Sequence, residues 1–155
     1  MKDKRTELKV SAIRSGTVID HIPANTVFQV FMILGLEKSD KQVYFGTNLN
    51  SQKYGKKGLI KISGKFFEEK EINKIAIVAP TATIIEIEDY VVTKKENVHL
   101  PEHINKIVKC INPKCVTNHQ KVPTAFKIIE DHKGTMKLLC KYCEKTMSQE
   151  NIEFL

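Results

Sequence analysis

Two features of the sequence predict an α+β chain of two parts: a strand, helix, strand, strand, helix, strand order within the first hundred residues, and the confinement of Cys110, Cys115, Cys140 and Cys143 to the last third. The first is the split βαβ pattern of a ferredoxin-like βαββαβ domain, placed over residues 1–100. The second marks a small all-β zinc-binding domain over residues 101–155. A length of 155 residues suits two small domains, and 41% hydrophobic with 28% charged residues excludes wholesale disorder and fibrous architectures. No apolar run approaches the roughly 18 residues of a membrane span, and no apolar segment follows the charged amino terminus, so a cytoplasmic protein with reduced thiols is expected.

Residues 8–13 alternate imperfectly, as a half-buried strand does, and Arg14-Ser15-Gly16 turns them into a second extended piece over 17–21 that Pro23 closes. Asn25 is the expected cap of a helix through Val27, Phe28, Val30, Phe31, Ile33 and Leu34 to Gly35; apolar nearly all round, it is expected to bury more than one face. A strand over 42–45, a polar loop rich in Gly and Lys over 48–58 and a strand over 59–62 follow. Ile72, Ile75, Ala76 and Ala79 recur at helical spacing, with Glu68, Glu69 and Glu71 at the positive amino end and Pro80 as the stop. Strands over 83–88 and 90–93 complete the pattern, with both helices on one sheet face. The short polar segment 94–101 is the expected junction. Candidate strands over 107–108, 125–129 and 136–139 then leave too little core for the remainder to hold its shape without a staple.

The cysteines supply one. Cys110 and Cys115 form C-x4-C, and Cys140 and Cys143 form C-x2-C, so each pair can bend round one ion and together complete a tetrahedral thiolate shell. Four sulfurs leave no open position, which makes the expected Zn2+ structural. Other readings of the residues are a redox C-x2-C, an iron centre, and a mixed site in which His119 replaces one sulfur. His103, His119 and His132 are otherwise expected to face solvent from loops.

A net charge of +7 invites a nucleic-acid reading, yet it is spread as +4 over residues 1–100 and +3 over 101–155, Arg occurs only twice, and aromatic residues are 7%; no nucleic acid and no membrane are expected as partners. Asp20-His21 resembles an oriented base, but neighbours on an extended chain point to opposite faces. No nucleophile sits in a recognisable motif and no G-x4-G-K-[ST] loop is present, so no catalytic residue is assigned. Lys56, Lys57, Lys94 and Lys95 can meet phosphate, and Asp20 can accept from ribose hydroxyls. Lys61 stands in a strand on the same side as Leu59, where an interior-facing charge needs a partner; the alternative is an ordinary edge-strand lysine.

The blocks Gly16-Thr17-Val18-Ile19-Asp20-His21-Ile22-Pro23-Ala24, Gly58-Leu59-Ile60-Lys61-Ile62, Ala79-Pro80-Thr81-Ala82-Thr83 and Leu100-Pro101, with the cysteine frame ending in Cys140-Lys141-Tyr142-Cys143-Glu144, closely resemble the regulatory chain of aspartate carbamoyltransferase over nearly the whole length. That resemblance implies a non-catalytic subunit in the pyrimidine pathway, whose homodimers bridge catalytic trimers. The first domain would bind CTP as feedback inhibitor, ATP as its opponent and, in some members, UTP alongside CTP; the zinc domain would dock on the catalytic chain. By motif position, Asp20 would contact ribose, Lys61 the ribose and base region, and Lys95 the phosphates. The backbone of Val10, Ala12, Ile13 and Tyr90 would read the base edge, with His21, Lys57 and Val92 close by. Ile85 and Lys114 depart from the asparagines that some members carry there, while Asn112 and Glu144 remain candidates for the catalytic-chain contact.

Overall fold

The computed structural model describes residues 12–155, which fall into two compact units, one ending at Val98 and the other starting at His99. Residues 8–11 of the first expected strand, Val10 included, lie outside the described residues, and Ala12 and Ile13 belong to no described strand. No helix of the described residues is long and apolar enough to cross a membrane.

The first unit runs β1 (Gly16–Pro23), α1 (Val27–Ile33), β2 (Val43–Ser51), β3 (Gly55–Ser63), α2 (Glu69–Val78), β4 (Thr83–Glu88) and β5 (Val91–Asn97). Its sheet has the order β2-β3-β1-β4-β5 with every neighbour antiparallel, so β1 and β2 are parallel and separated by β3. This is the predicted split βαβ core with a fifth strand added at one edge. Two expected boundaries change. The polar stretch over 48–58 is mostly hairpin: its Asn, Ser and Lys side chains hide the strand alternation, and Gly55 at φ +78 supplies the left-handed residue that closes a three-residue turn. Of the segment 94–101 expected as the junction, residues 94–97 are the second half of β5, an edge strand exposed along its length, and the boundary between the units falls after Val98.

Each helix covers the same sheet face. On β3, Gly58, Ile60 and Ile62 are buried and their neighbours are not, a period of two set by the pleat. Val27 and Val30 of α1 and Ile75 to Val78 of α2 pack over that side. A three-residue 3-10 turn, Ala24–Thr26, leads into α1, and Asn25 makes no capping bond. The expected burial of more than one face of the nearly all-apolar α1 is not met within this unit: Phe28 and Met32 stay 60% and 56% exposed, with the rings of Phe28 and Phe31 5.5 and 5.2 Å from that of Phe45. Glu68 opens α2, its N–H donating to Glu71 Oε1 at 3.4 Å, and α2 ends before Pro80.

The second unit comprises β6 (His103–Asn105), β7 (Val108–Lys109), β8 (Ala125–Glu130), β9 (Met136–Cys140), β10 (Thr146–Ser148) and β11 (Glu153–Phe154). They form a sheet of order β10-β9-β8-β6 and a separate β7–β11 pair. Its core is small: Ile104, Ile107, Val108, Phe126, Leu138 and Met147 are its buried aliphatic, aromatic and thioether side chains. The four cysteines lie at the ends of these short strands and in the turns between them.

At Gly58 the sheet leaves room for Val27 of α1. A Cβ there would stand 1.8 Å from Val27 Cγ2. Gly58→Ala is therefore expected to push α1 off β3 and to cost about 1–3 kcal/mol, read as a lower denaturant midpoint for the first unit with unchanged metal content.

Candidate functional site

Cys110 follows β7, Cys115 precedes a 3-10 turn at Val116–Asn118, Cys140 ends β9, and Cys143 lies in the turn that leads to β10. The four sulfurs all lie within 4.8 Å of one another. Cys110 Sγ stands 3.7 Å from Cys143 Sγ, and Cys115 Sγ 3.8 Å from Cys140 Sγ. A tetrahedron with Zn–S arms near 2.3 Å has edges of about 3.8 Å, whereas a disulfide would bring two sulfurs to about 2.05 Å. The arrangement therefore fits one metal ion and excludes bonded pairs. Each close contact joins one motif to the other, so an ion here would tie β7 and the first loop to the β9–β10 turn.

The mixed-ligand and redox readings do not survive this geometry, whereas a tetrahedral four-sulfur shell would accept iron as well as zinc. His119 places Nε2 2.6 Å from the carbonyl of Pro113 and supplies no ligand. His103 pairs with Glu102 at 3.8 Å, and His132 is exposed. Cys140 and Cys143 are engaged with the other pair, so they are not an isolated redox dithiol.

Polar groups converge on the sulfurs as they do round a held thiolate shell. The Thr117 hydroxyl donates to Cys115 Sγ at 3.2 Å. Backbone N–H groups of Asn112 and of Tyr142 and Cys143 reach Cys110 and Cys140 respectively, and the Asn112 side chain reaches Cys143. Without metal, burial pushes the Cys110 thiol up to about 12 and raises that of Cys140. For Cys143 burial acts the same way, but the Asn112 side chain, the Lys145 N–H and the neighbouring thiols outweigh it and bring it to about 7. When bound, zinc supplies cross-linking rather than chemistry, since no coordination position is left open.

On the first unit, register places Tyr44, Lys61, Val18, Ile85 and Lys95 in one row across β2, β3, β1, β4 and β5. Directly paired residues share a face, and the adjacent row of Ile19, Ile60 and Ile84 is the one the helices bury. Lys61 and Lys95 thus occupy the sheet face away from the helices, three strand spacings or about 14 Å apart. Lys61 is half-buried beside Leu59 on that outer face of the interior strand β3, so it is neither in the helix-covered core nor on an edge strand, the two readings the sequence allowed. The next row holds Asp20, Thr83 and Asn97, with the Thr83 hydroxyl 3.0 Å from Asn97 Oδ1. Ile87 and Val92 pair one row to the other side.

Asp20 Oδ1 accepts from Lys57 Nζ and from the His21 N–H, each at 2.7 Å. Burial alone would raise this carboxyl, but Lys57 and His21 outweigh it and hold it below the usual carboxylate range. The expectation that Asp20 and His21 point to opposite faces fails because the β1–β3 register slips between Ile19 and Ile22 and His21 is left-handed at φ +55. His21 Nδ1 still lies 4.0 Å from Asp20 and is buried without a hydrogen bond, so no oriented base is built. The imidazole instead meets Tyr54 edge-on at 5.9 Å.

Tyr90 occupies the β4–β5 turn, where Asp89 and Tyr90 both take positive φ, +49 and +65. Its N–H donates to the Arg14 carbonyl at 2.8 Å, and Arg14 Nε pairs with Asp89 at 3.2 Å. The turn is thereby pinned two residues after Ala12 and one after Ile13. Asn118 and Thr117 were not singled out from sequence; their signal was a pair of short hydrogen-bonding side chains just beyond Cys115.

Because Cys110 and Cys140 must lose protons to bind metal, zinc uptake by the reduced, metal-free chain near neutral pH is expected to release at least about two protons per ion and to weaken as pH falls. Calorimetry in two buffers of different ionisation enthalpy measures this; a proton yield near zero would refute it.

The two units correspond to two matched families. Residues 8–99 match "Aspartate carbamoyltransferase regulatory chain, allosteric domain", and residues 102–153 match "Aspartate carbamoyltransferase regulatory chain, metal binding domain". The chain is 44% identical over 155 residues to the aspartate carbamoyltransferase regulatory chain of Phocaeicola vulgatus, covering 100% of this chain and 99% of that one. It is 47% identical over 150 residues to the same-named protein of Parabacteroides distasonis, covering 97% and 96%. With that of Pyrococcus horikoshii the identity is 50% over 148 residues, covering 94% and 96%. Both matched descriptions are of a regulatory chain rather than a catalytic one, and the four cysteines brought together in the second unit are the donor set a metal-binding domain requires. With a helix-backed sheet domain followed in sequence by a four-cysteine domain, the chain belongs to the family of aspartate carbamoyltransferase regulatory chains.

Proposed function

We propose that residues 1–100 form a nucleotide-binding allosteric domain, and that residues 101–155 form a zinc-binding domain that docks on the catalytic chains of aspartate carbamoyltransferase. CTP acts as inhibitor and ATP as its opponent, with UTP joining CTP. The observation that carries this reading is the outer sheet face, where Lys61 and Lys95 stand in one row and Asp20, in the next, accepts from the Lys57 ammonium. Phosphates meet Lys95, the ribose meets Asp20 and Lys61, and the backbone about Val10, Ala12, Ile13 and Tyr90 reads the base, with His21, Lys57 and Val92 alongside. The unit boundary between Val98 and His99 supports the division of labour. The protein works in the cytoplasm, where thiols stay reduced and available to zinc.

A regulatory-chain homodimer fits the other edge of the sheet. β2 is an edge strand of nine residues with no charged side chain, whereas edge strands that must stay alone are usually protected by charge. Phe28, Met32 and Phe45 lie exposed along the same rim. A second copy related by a twofold axis would offer the identical neutral edge and cover this apolar surface.

Feedback then is a coupling free energy. A nucleotide that binds one quaternary state better than the other shifts the catalytic assembly toward it, typically by about 1–3 kcal/mol. The deciding experiment mixes the purified chain with catalytic trimers of its own host and records aspartate saturation with CTP or ATP added; curves unmoved by either nucleotide would overturn the reading. Lys95→Ala is expected to weaken CTP roughly tenfold or more, the loss of a charge-assisted phosphate contact, while zinc content stays at one ion per chain. Equal affinity in calorimetry would remove Lys95 from the site.

A further inference from the structure

The first cysteine loop is held by a side chain that is not a ligand. Asn118 Nδ2 donates to the carbonyls of Cys110 at 3.0 Å and of Asn112 at 2.8 Å. Both partners are acceptors, so the amide can only present its NH2, and asparagine is the side chain whose single nitrogen offers two donors at this reach. The backbone N–H of Asn118 closes the same loop on the Cys115 carbonyl at 3.0 Å. One residue therefore touches the start, the middle and the end of the C-x4-C segment.

What it fixes is Asn112. The carbonyl of Asn112 accepts from Asn118 and also from the Cys115 N–H at 3.0 Å. The backbone N–H of Asn112 supports the Cys110 sulfur. Its side-chain oxygen accepts from the Lys114 N–H at 3.1 Å, which leaves the amide NH2 to face the Cys143 sulfur. Asn112 thus supports one sulfur from each cysteine pair, and Asn118 holds Asn112 in place.

We propose that Asn118 is the positioning residue of the metal centre, controlling how long the four-cysteine shell retains its ion. Such support from outside the ligand set is commonly worth 10- to 100-fold in metal affinity, and it acts on the dissociation rate when the loop must open for the metal to leave. Lose the clamp, and the Cys110–Cys115 loop can breathe while all four sulfurs remain.

The test uses the full chain loaded with Zn2+. Release to an excess of chromophoric chelator is expected to run roughly 10- to 100-fold faster in Asn118→Ala than in the parent chain. Asn118→Asp, which turns an acceptor toward two carbonyls and adds charge beside a thiolate shell, is expected to release faster still. Asn118→Ser, with one donor in place of two, is expected to fall between, and it serves if Asn118→Ala does not take up metal. The same proteins loaded with Co2+ give the specific readout. Altered N–H···S bonding from Asn112 is expected to shift the sulfur-to-cobalt charge-transfer bands, while far-UV circular dichroism of the zinc-saturated chains stays as in the parent. Release at the parent rate in these variants overturns the proposal. Faster release with unshifted cobalt bands also overturns it, because Asn118 would then be a general stabiliser of the unit.

Discussion

The second unit depends on one interaction, the drawing together of four thiolates by a single cation. Its buried aliphatic, aromatic and thioether side chains number six, far short of the core that a segment of this size needs to offset chain entropy. Strands of two and three residues such as β7, β10 and β11 bring almost no cooperative pairing of their own. A metal ion replaces missing burial with strong bonds at the points where the loops meet, and the apparent free energy of such sites in finger peptides, roughly 10–16 kcal/mol, is folding free energy because no preformed site exists in the unfolded chain. The same closure explains the polar groups round the sulfurs. Four thiolates about one divalent ion carry a net negative charge, and in a buried place that charge must be met by N–H and O–H donors.

The first unit has no such need. Two helices bury one face of a five-stranded sheet, and Val27, Val30, Ile60, Ile62, Ile75 and Ile84 are wholly or almost wholly removed from water. Because the helices occupy a single face, the other face carries polar and charged side chains without spoiling the core. The pleat enforces this separation: Ile60 and Ile62 point inward, so Lys61 must point outward. Asp20 is the costly member of that outer face, partly buried and ionised, and it is held in that state by an ammonium and a backbone donor on one oxygen. Any further donor at this carboxylate would have to exchange with contacts already made rather than simply add to them.

Where a signal was periodic it could be read from the residues. α2 was legible because apolar residues, acidic first turn and terminal proline agree, and the metal donors because cysteine spacing carries its chemistry in the residue type. β2 and β5 were cut short for a shared reason. Both are edge strands, and edges tolerate Asn, Ser, Thr and Lys that read as loop when pairing partners are unknown. The same blindness to register hid the sheet row: nothing local in Lys61 or Lys95 says that Val18 and Ile85 stand between them. The bulge at Asp20 and His21 was invisible as well, since it depends on how β1 and β3 slip past one another. Asn118 and Thr117 escaped notice because their role exists only once the Cys110 loop has closed on itself.

β5 is the strand of the first unit that leads into the second. This strand pairs on one side only, with β4, and its register shifts where Glu86 gives way to Ile87. A bulge on an edge strand is a place where pairing can adjust at low cost, because no second neighbour constrains it. Lys95 lies on the carboxyl-terminal side of that shift, Asn97 binds Thr83 in the row of Asp20, and the next residue, Val98, is buried and donates to the Ala82 carbonyl at 3.0 Å. The chain then passes directly into the metal-binding unit. Of the strands that carry the outer-face cations, β5 alone is continuous in sequence with the second unit. Lys95 therefore stands on a strand paired on one side only, three residues before the first unit ends at Val98. Lys61, in the interior strand β3, is paired on both sides and is followed by α2, β4 and β5 before the chain leaves the unit.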